Sequence, residues 1–187
     1  MKILEYIALS IALTLPLFLT LHECAGKVSL RLSRGLVISL LMAVGQAAII
    51  LLGMLIGNQL RFDMPVYDSF VFLGLVLVVA FRFLFTTFRK QKDTITEAFD
   101  ISRWSTVILL SIASATNAFI VGIGLGFRTL ISNDACAVAI PMAIAAFLFS
   151  YWGIMFGRQH KKVRPRRWLL ISILILLVYA VKGVVDA

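Results

Sequence analysis

The chain has 187 residues, of which 61% are hydrophobic and only 14% are charged, and its mean hydropathy is +1.00. A water-soluble domain cannot cover so much apolar surface with so few charges, so the composition excludes soluble enzymes and predicts an integral membrane protein. The formal net charge of +9 would indicate nucleic acid binding in a soluble chain. In a membrane protein the same excess of Lys and Arg records loop orientation, so we expect the lipid bilayer, and no nucleic acid, as a partner.

Six apolar stretches follow one another along the chain, each long enough to cross a bilayer. A hydrocarbon core of about 30 Å needs about 20 helical residues, and helices are favoured because every backbone amide must be satisfied inside lipid. The predicted spans are Ile3–His22, Gly35–Gly57, Val66–Phe88, Ser105–Phe127, Ala135–Gly157 and Trp168–Val185. The segments between them are short, so we predict an all-α fold with one membrane domain over residues 1–187. The first stretch lacks a small-residue cleavage site, and we interpret it as a retained helix rather than a signal peptide.

The positions of Lys and Arg predict how the spans are oriented. Cytoplasmic loops of membrane proteins carry an excess of basic residues, and here the first, third and fifth loops are basic. These loops contain Lys27, Arg31, Arg34, Arg89, Lys90, Lys92, Arg103, Arg158, Lys161, Lys162, Arg164, Arg166 and Arg167. The opposite side contains Lys2, Arg61, Arg128 and Lys182. We therefore predict a multi-pass protein of the cell inner membrane with both termini outside the cytoplasm.

The two halves of the chain resemble each other. A shift of 101 residues aligns the first span with the fourth, and a shift of 100 aligns the second with the fifth and the third with the sixth. The second pair matches Met42, Ala43, Gly53, Gly57 and Gln59 with Met142, Ala143, Gly153, Gly157 and Gln159. We predict one repeat over about 1–90 and a second over about 104–187, with 89–104 as a cytoplasmic linker. Because each repeat has an odd number of spans, the second must be inverted, which is typical of secondary transporters.

Polar residues at membrane depth are the candidates for a substrate pathway, because such residues are unfavourable in lipid unless they serve packing or function. The candidates are Thr14, Pro16, Gln46, Ser114, Thr116 and Asn117. Pro16 aligns with Asn117 in the repeat. Because proline has no N–H, it leaves a backbone carbonyl near mid-membrane without its helical hydrogen bond. A kinked or broken helix there would expose backbone oxygens to a substrate. A tolerated kink and interhelical hydrogen bonds are the structural alternative.

Four ionisable residues lie toward the ends of the predicted spans. Arg82 and Lys182 occupy equivalent repeat positions, and we expect each to extend toward its own interface. His22 and Glu23 close the first span, and a His beside a carboxylate is a speculative metal entry site or proton relay. Adjacent helical residues point about 100° apart, so a polar cap at the interface is the simpler interpretation.

Three segments carry a resemblance to a known family. Residues 113–127 read ASATNAFIVGIGLGF, 52–57 read LGMLIG, and 152–158 read WGIMFGR. With the length, the six spans and the duplication, these resemble the manganese efflux pump (MntP) family of the lysine-exporter superfamily. The resemblance implies acidic residues in the first, second and fourth spans, where this chain has Pro16, Gln46 and Asn117. A hard divalent ion such as Mn²⁺ favours oxygen ligands, and here they would be amide and backbone oxygens.

The function that the resemblance implies is export of Mn²⁺ or another small solute by a secondary transporter. No nucleotide-binding loop, HExxH or GxSxG pattern occurs in the chain, so we expect neither an enzyme nor a resident cofactor, with Mn²⁺ as cargo only. Coupling would then be to protons or to the membrane potential. The alternative is a degenerate transporter fold that serves as a non-transporting subunit or scaffold. A homodimer and a membrane partner subunit both stay open.

Overall fold

A computed structural model describes residues 2–27, 31–63, 68–88, 101–128, 131–159 and 165–185. All the elements in these ranges are helices. They are α1 (Lys2–Ala25), α2 (Leu32–Asp63), α3 (Asp68–Phe88), α4 (Trp104–Arg128), α5 (Ile131–Arg158) and α6 (Pro165–Val185). The all-helical class that the sequence predicts is confirmed. The basic residues of 89–92 and 161–164, which support the predicted orientation, lie outside the described residues.

Four of these helices contain stretches that are long and apolar enough to cross a membrane. The stretches are Ile3–Ala25, Leu32–Leu60, Trp104–Phe127 and Ala135–Arg158, and α3 adds a shorter apolar stretch, Phe70–Phe85. Large apolar side chains such as Leu4, Val44, Phe70 and Leu174 remain exposed on the outer faces of the bundle. Such surfaces are stable against lipid tails but not against water. The chain is therefore a multi-pass membrane protein, while the number of crossings, six, stays a prediction.

The tightest helix pair is α2 against α4, and glycines make it so. A Cβ placed on Gly53 or Gly57 would overlap the carbonyl oxygens of Phe119 and Ile123, so the two backbones are in direct contact. The contacts advance in the same direction along both helices, which makes the pair parallel. At its start, Arg34 Nη2 donates to the carbonyl of Ser102. The bundle thus holds α2 and α4 side by side over most of their length.

The pair α1 and α5 repeats this arrangement. A Cβ on Gly153 would lie 2.7 Å from the carbonyl oxygen of Phe18, and one on Gly157 would overlap the carbonyl oxygen of His22. These helices are also parallel, since the contacts again advance together. Next to them, α2 packs against α5 across the middle of the bundle, and α3 packs against α6. Direct contact between α1 and α4 is slight.

The helices α3 and α6 each pack antiparallel against one member of these pairs, but at different levels. On α4, Gly124 receives the ring of Phe72, and Arg82 reaches Asn117. On α1, Ala12 meets Ser172, and Glu5 meets Lys182. Counting along these contacts, residue 82 lies level with the middle of α4, whereas residue 182 lies level with the first turn of α1. Because of this difference in register, the Arg82 side chain reaches the middle of α4, where the candidate site lies.

Candidate functional site

A buried amide and a hydroxyl join α2 to α4 near the middle of the bundle. Gln46 is 1% exposed, and its Nε2 donates to Ser114 Oγ over 3.1 Å. The Ser114 hydroxyl in turn donates to the carbonyl of Ser111, one turn back on α4, over 2.9 Å. Within the described part of the chain, Gln46 Oε1 is buried with no hydrogen-bond partner. An unpaired buried acceptor is unfavourable by about 1–3 kcal/mol, which makes this oxygen a candidate ligand. Asn58 Oδ1 and Ser150 Oγ are also buried without a partner among the described residues.

A guanidinium lies one helical turn further along α4. Arg82 Nη1, from α3, donates to Asn117 Oδ1 over 3.0 Å. Residues three apart on a helix share a face, so Asn117 continues the polar stripe that Ser114 begins. We call Gln46, Arg82, Ser114 and Asn117 the polar cluster. It consists of two hydrogen bonds to α4, one from α2 and one from α3, and it includes three residues that the sequence predicts and one, Arg82, that was expected at an interface.

The expectation that Arg82 extends toward its own interface stays a prediction. The register of α3 against α4 places Arg82 level with the middle of α4, where its side chain meets Asn117. The sequence did contain a signal, because an arginine inside a run as apolar as residues 70–85 is a functional candidate by default.

Pro16 lies inside α1, and the helix continues through it. Without an N–H, the proline leaves the carbonyl of Ala12 without its usual helical partner. Ser172 Oγ of α6 donates to that carbonyl over 2.5 Å. The freed oxygen is therefore used in packing α6 against α1. The substrate contact predicted at Pro16 stays a prediction, and sequence reasoning missed Ser172 as the residue that completes this position.

Thr14 and Thr116 direct their hydroxyls at their own helices. The Thr14 Oγ1, fully buried, donates to the carbonyl of Ser10 over 2.8 Å, and Thr116 Oγ1 donates to that of Ile112 over 3.4 Å. Back-bonded hydroxyls of this kind satisfy themselves locally. These two residues thus lie near the expected depth without joining the polar cluster, and their role in a pathway is still a prediction.

His22 and Glu23 lie at the end of α1, both half-buried. The His22 ring is 6.2 Å from the Phe18 ring, measured between centroids, and its backbone carbonyl faces Gly157. Among the described residues, no group of three or more His, Cys, Asp or Glu side chains is placed to hold a metal ion. The metal role of His22 and Glu23 stays a speculative prediction, and the backbone of His22 has a clear packing role.

The polar cluster presents neutral oxygens and one permanent positive charge, the guanidinium of Arg82. The amide oxygens of Gln46 and Asn117 and the hydroxyl of Ser114 are hard ligands that suit a divalent cation or a hydrogen-bonding solute. Arg82 already binds one of these oxygens. These groups have the chemistry to ligate a small polar species.

The profile of the Mntp family, described as "Putative manganese efflux pump", matches residues 29–183. The chain belongs to this family. A relative from Methanocorpusculum labreanum, named "Putative manganese efflux pump MntP", is 23% identical over 141 residues, which cover 75% of this chain and 72% of the relative. A relative of the same name from Nitratidesulfovibrio vulgaris (strain DP4) is 24% identical, with 85% and 78% covered. "Putative manganese efflux pump MntP 1" of Wolinella succinogenes is 21% identical, with 83% and 82% covered.

No solved structure matches the chain with significance. The family match includes all three helices of the polar cluster, since it begins before α2 and ends within α6. It also includes the glycine contacts of α2 with α4. The resemblance that the sequence motifs indicate is thereby confirmed, with the packing glycines and the polar cluster inside the shared region.

Proposed function

We propose that this chain exports Mn²⁺ across the cell inner membrane as a secondary transporter, and that the polar cluster is its binding site. The observation that carries the proposal is the oxygen of Gln46, which is buried with no partner among the described residues, on a side chain that donates to Ser114 in a protein of this family. Buried acceptors without partners are rare in folded proteins, and an amide oxygen is a hard ligand that suits a divalent cation.

The proposal includes an inverted repeat, with residues 1–90 and 104–187 as its halves. Its support is the match between two sets of glycine contacts. Gly53 faces Phe119 as Gly153 faces Phe18, and the repeat shifts relate each of these residues to its counterpart. The packing partners are also unchanged when α1, α2 and α3 are exchanged with α4, α5 and α6.

The same contacts support six crossings in alternating directions. The pairs α2 with α4 and α1 with α5 are parallel, whereas α3 with α4 and α6 with α1 are antiparallel. Alternating spans produce this set of directions, with α2 and α4 both starting at the cytoplasmic side. We propose this topology, with both termini outside the cytoplasm and the Arg34–Ser102 contact on the inner side.

Cells that lack their own manganese exporter provide the direct test. Expression of this chain should lower intracellular Mn and raise tolerance to it, whereas a Gln46→Leu variant should do neither. Ser39→Ala is the matched control, because Ser39 is equally buried in α2 but donates to the carbonyl of Gly35 in its own helix. Normal membrane insertion without any change in Mn content would contradict the proposal and favour a non-transporting scaffold.

A second candidate is export of a small solute other than Mn²⁺. Its motivation is that the ligands of the polar cluster are neutral and one oxygen is bound to a guanidinium. Adding an acid separates the two functions. Gln46→Glu should increase Mn²⁺ export if the metal passes this residue, because a carboxylate offsets dehydration of the ion better than an amide. If Mn²⁺ transport is absent from both forms, Mn²⁺ is not the substrate, and flux of another solute through the wild type would then distinguish this candidate from a non-transporting scaffold.

A further inference from the structure

Arg82 is a charged side chain at a depth where charges are rare. Its register against α4 places it level with Ser114 and Asn117, and the neighbouring side chains of Val78, Phe81 and Phe85 are exposed apolar groups that suit lipid. A guanidinium at this depth is unfavourable unless it binds a partner or reaches water. Arg82 does bind a partner, and the atom that it binds belongs to the candidate substrate site.

A transported cation and Arg82 cannot share the Asn117 amide oxygen. Two positive charges bound to one oxygen repel strongly, most of all at a depth where the dielectric constant is low. Mn²⁺ also needs several oxygen ligands at short distance, and Asn117 Oδ1 is one of the oxygens of the polar cluster. The guanidinium must therefore leave this oxygen before a cation can use it.

We propose that Arg82 and the transported cation bind the amide oxygen of Asn117 in alternation, so that Arg82 acts as a tethered competitor. This inference rests on the proposed function of cation export. The tethered charge lowers the affinity for the cation and promotes its release. Between transport events, the guanidinium donates a hydrogen bond to the polar cluster. Arg82 is thus a residue that sets affinity through Asn117 rather than a ligand of the metal.

The neutral side chain at position 117 is consistent with this alternation. A carboxylate would hold a guanidinium in a bidentate ion pair, which is among the strongest polar contacts in proteins. An amide oxygen has no charge, and Arg82 Nη1 donates to this one over 3.0 Å. The guanidinium can consequently be displaced from Asn117 more readily than it could be from an aspartate.

Mn²⁺ binding to the purified full chain in lipid nanodiscs tests the inference, with calorimetry as the measurement. Arg82→Gln, with Arg82→Met as a second variant, should bind Mn²⁺ at least about tenfold more tightly than the wild type. Arg82→Lys keeps the charge and should stay within about threefold of it. Lys182→Gln is the matched control, because Lys182 occupies the same repeat position but pairs with Glu5, and its affinity should be unchanged.

The tighter Mn²⁺ binding of the Arg82 variants should depend on Asn117, and it should change both KM and kcat. In the double variant Arg82→Gln, Asn117→Ala, the tighter binding should be lost. In proteoliposomes, Arg82→Gln should lower both KM and kcat for Mn²⁺, whereas a merely structural residue would lower kcat alone.

Folded Arg82→Gln and Arg82→Met proteins that bind Mn²⁺ no more tightly than the wild type would overturn the inference, whether or not the wild type binds it. Transport by the wild type is measured separately and tests the proposed function. Wild-type transport without tighter binding by the variants would contradict the role of Arg82 alone. Tighter binding by the variants without wild-type transport would contradict export alone.

Discussion

Arg82 and Lys182 occupy the same position in the sequence repeat, but they lie in very different surroundings. Arg82 donates to Asn117 beside the middle of α4, whereas Lys182 pairs with Glu5 in the first turn of α1 over 2.5 Å. The contacts of Gly53 and Gly57 with α4, by contrast, correspond to those of Gly153 and Gly157 with α1. These helix contacts thus recur in two helix pairs, whereas the cationic side chains of α3 and α6 have different partners.

This difference separates what the scaffold needs from what the site needs. Backbone contact at glycines fixes how close two helices lie, and it tolerates almost any side chain elsewhere. A binding site needs specific groups at one level of the bundle. The register of α3 against α4 brings such groups together, whereas the register of α6 against α1 does not. The comparison makes predictions about stability in both halves.

The largest effect is expected at the glycines of α2. Gly57→Val places side-chain carbons against the backbone of Ile123, which cannot move aside, so we expect a loss of about 3 kcal/mol or more in the free energy of unfolding. Gly74→Val is the matched control, since a Cβ at Gly74 meets no atom within 4 Å, and its effect should stay within about 0.5 kcal/mol. The free energy of unfolding of both variants is measured in detergent, with size-exclusion chromatography to monitor unfolding.

Gly157→Val tests whether the second half is held in the same way. The carbonyl of His22 blocks the added carbons, so we expect a loss of about 2–3 kcal/mol, close to that of the first glycine variant. The same unfolding measurement applies. A neutral result at Gly157 beside a severe one at Gly57 would break the equivalence of the two helix pairs.

A smaller effect is expected at the hydroxyl that completes α1. Ser172→Ala leaves the carbonyl of Ala12 without its donor and should lower the free energy of unfolding by about 1 kcal/mol. In a Pro16→Ala background the helix supplies its own N–H to that carbonyl, so the same substitution should have much less effect. A double-mutant cycle over these two positions checks the explanation, and additive effects would show it to be incorrect.

The smallest effect is expected at the edge of the bundle. Glu5→Gln removes the ion pair with Lys182. The Glu5 side chain is 23% exposed and that of Lys182 is 40% exposed, so we expect the free energy of unfolding to fall by at most about 1 kcal/mol. The loss should shrink further at high salt, because salt screens exposed charges. Unfolding at low and high ionic strength measures it. A loss as large as that of the glycine variants would mean that this pair is an essential part of the fold.

The sequence predicts the bundle better than it predicts the site, and particular residues show why. Gly53 and Gly57 reveal a helix contact because their spacing alone puts them on one face. Gln46, Ser114 and Asn117 are found as polar residues in apolar runs. Which of them meet depends on the register between helices, which no local pattern encodes. The same register brings Arg82 to Asn117 and Ser172 to the carbonyl that Pro16 frees.

Mn²⁺ flux in proteoliposomes tests the central claim most directly, namely that the metal crosses the membrane through the polar cluster. Wild-type protein should carry Mn²⁺ well above protein-free vesicles, Ser39→Ala should match it, and Gln46→Leu should reduce the flux at least about tenfold, because the buried ligand oxygen is gone. Wild-type flux no higher than that of protein-free vesicles, or equal flux from the folded Gln46→Leu protein, would contradict the account.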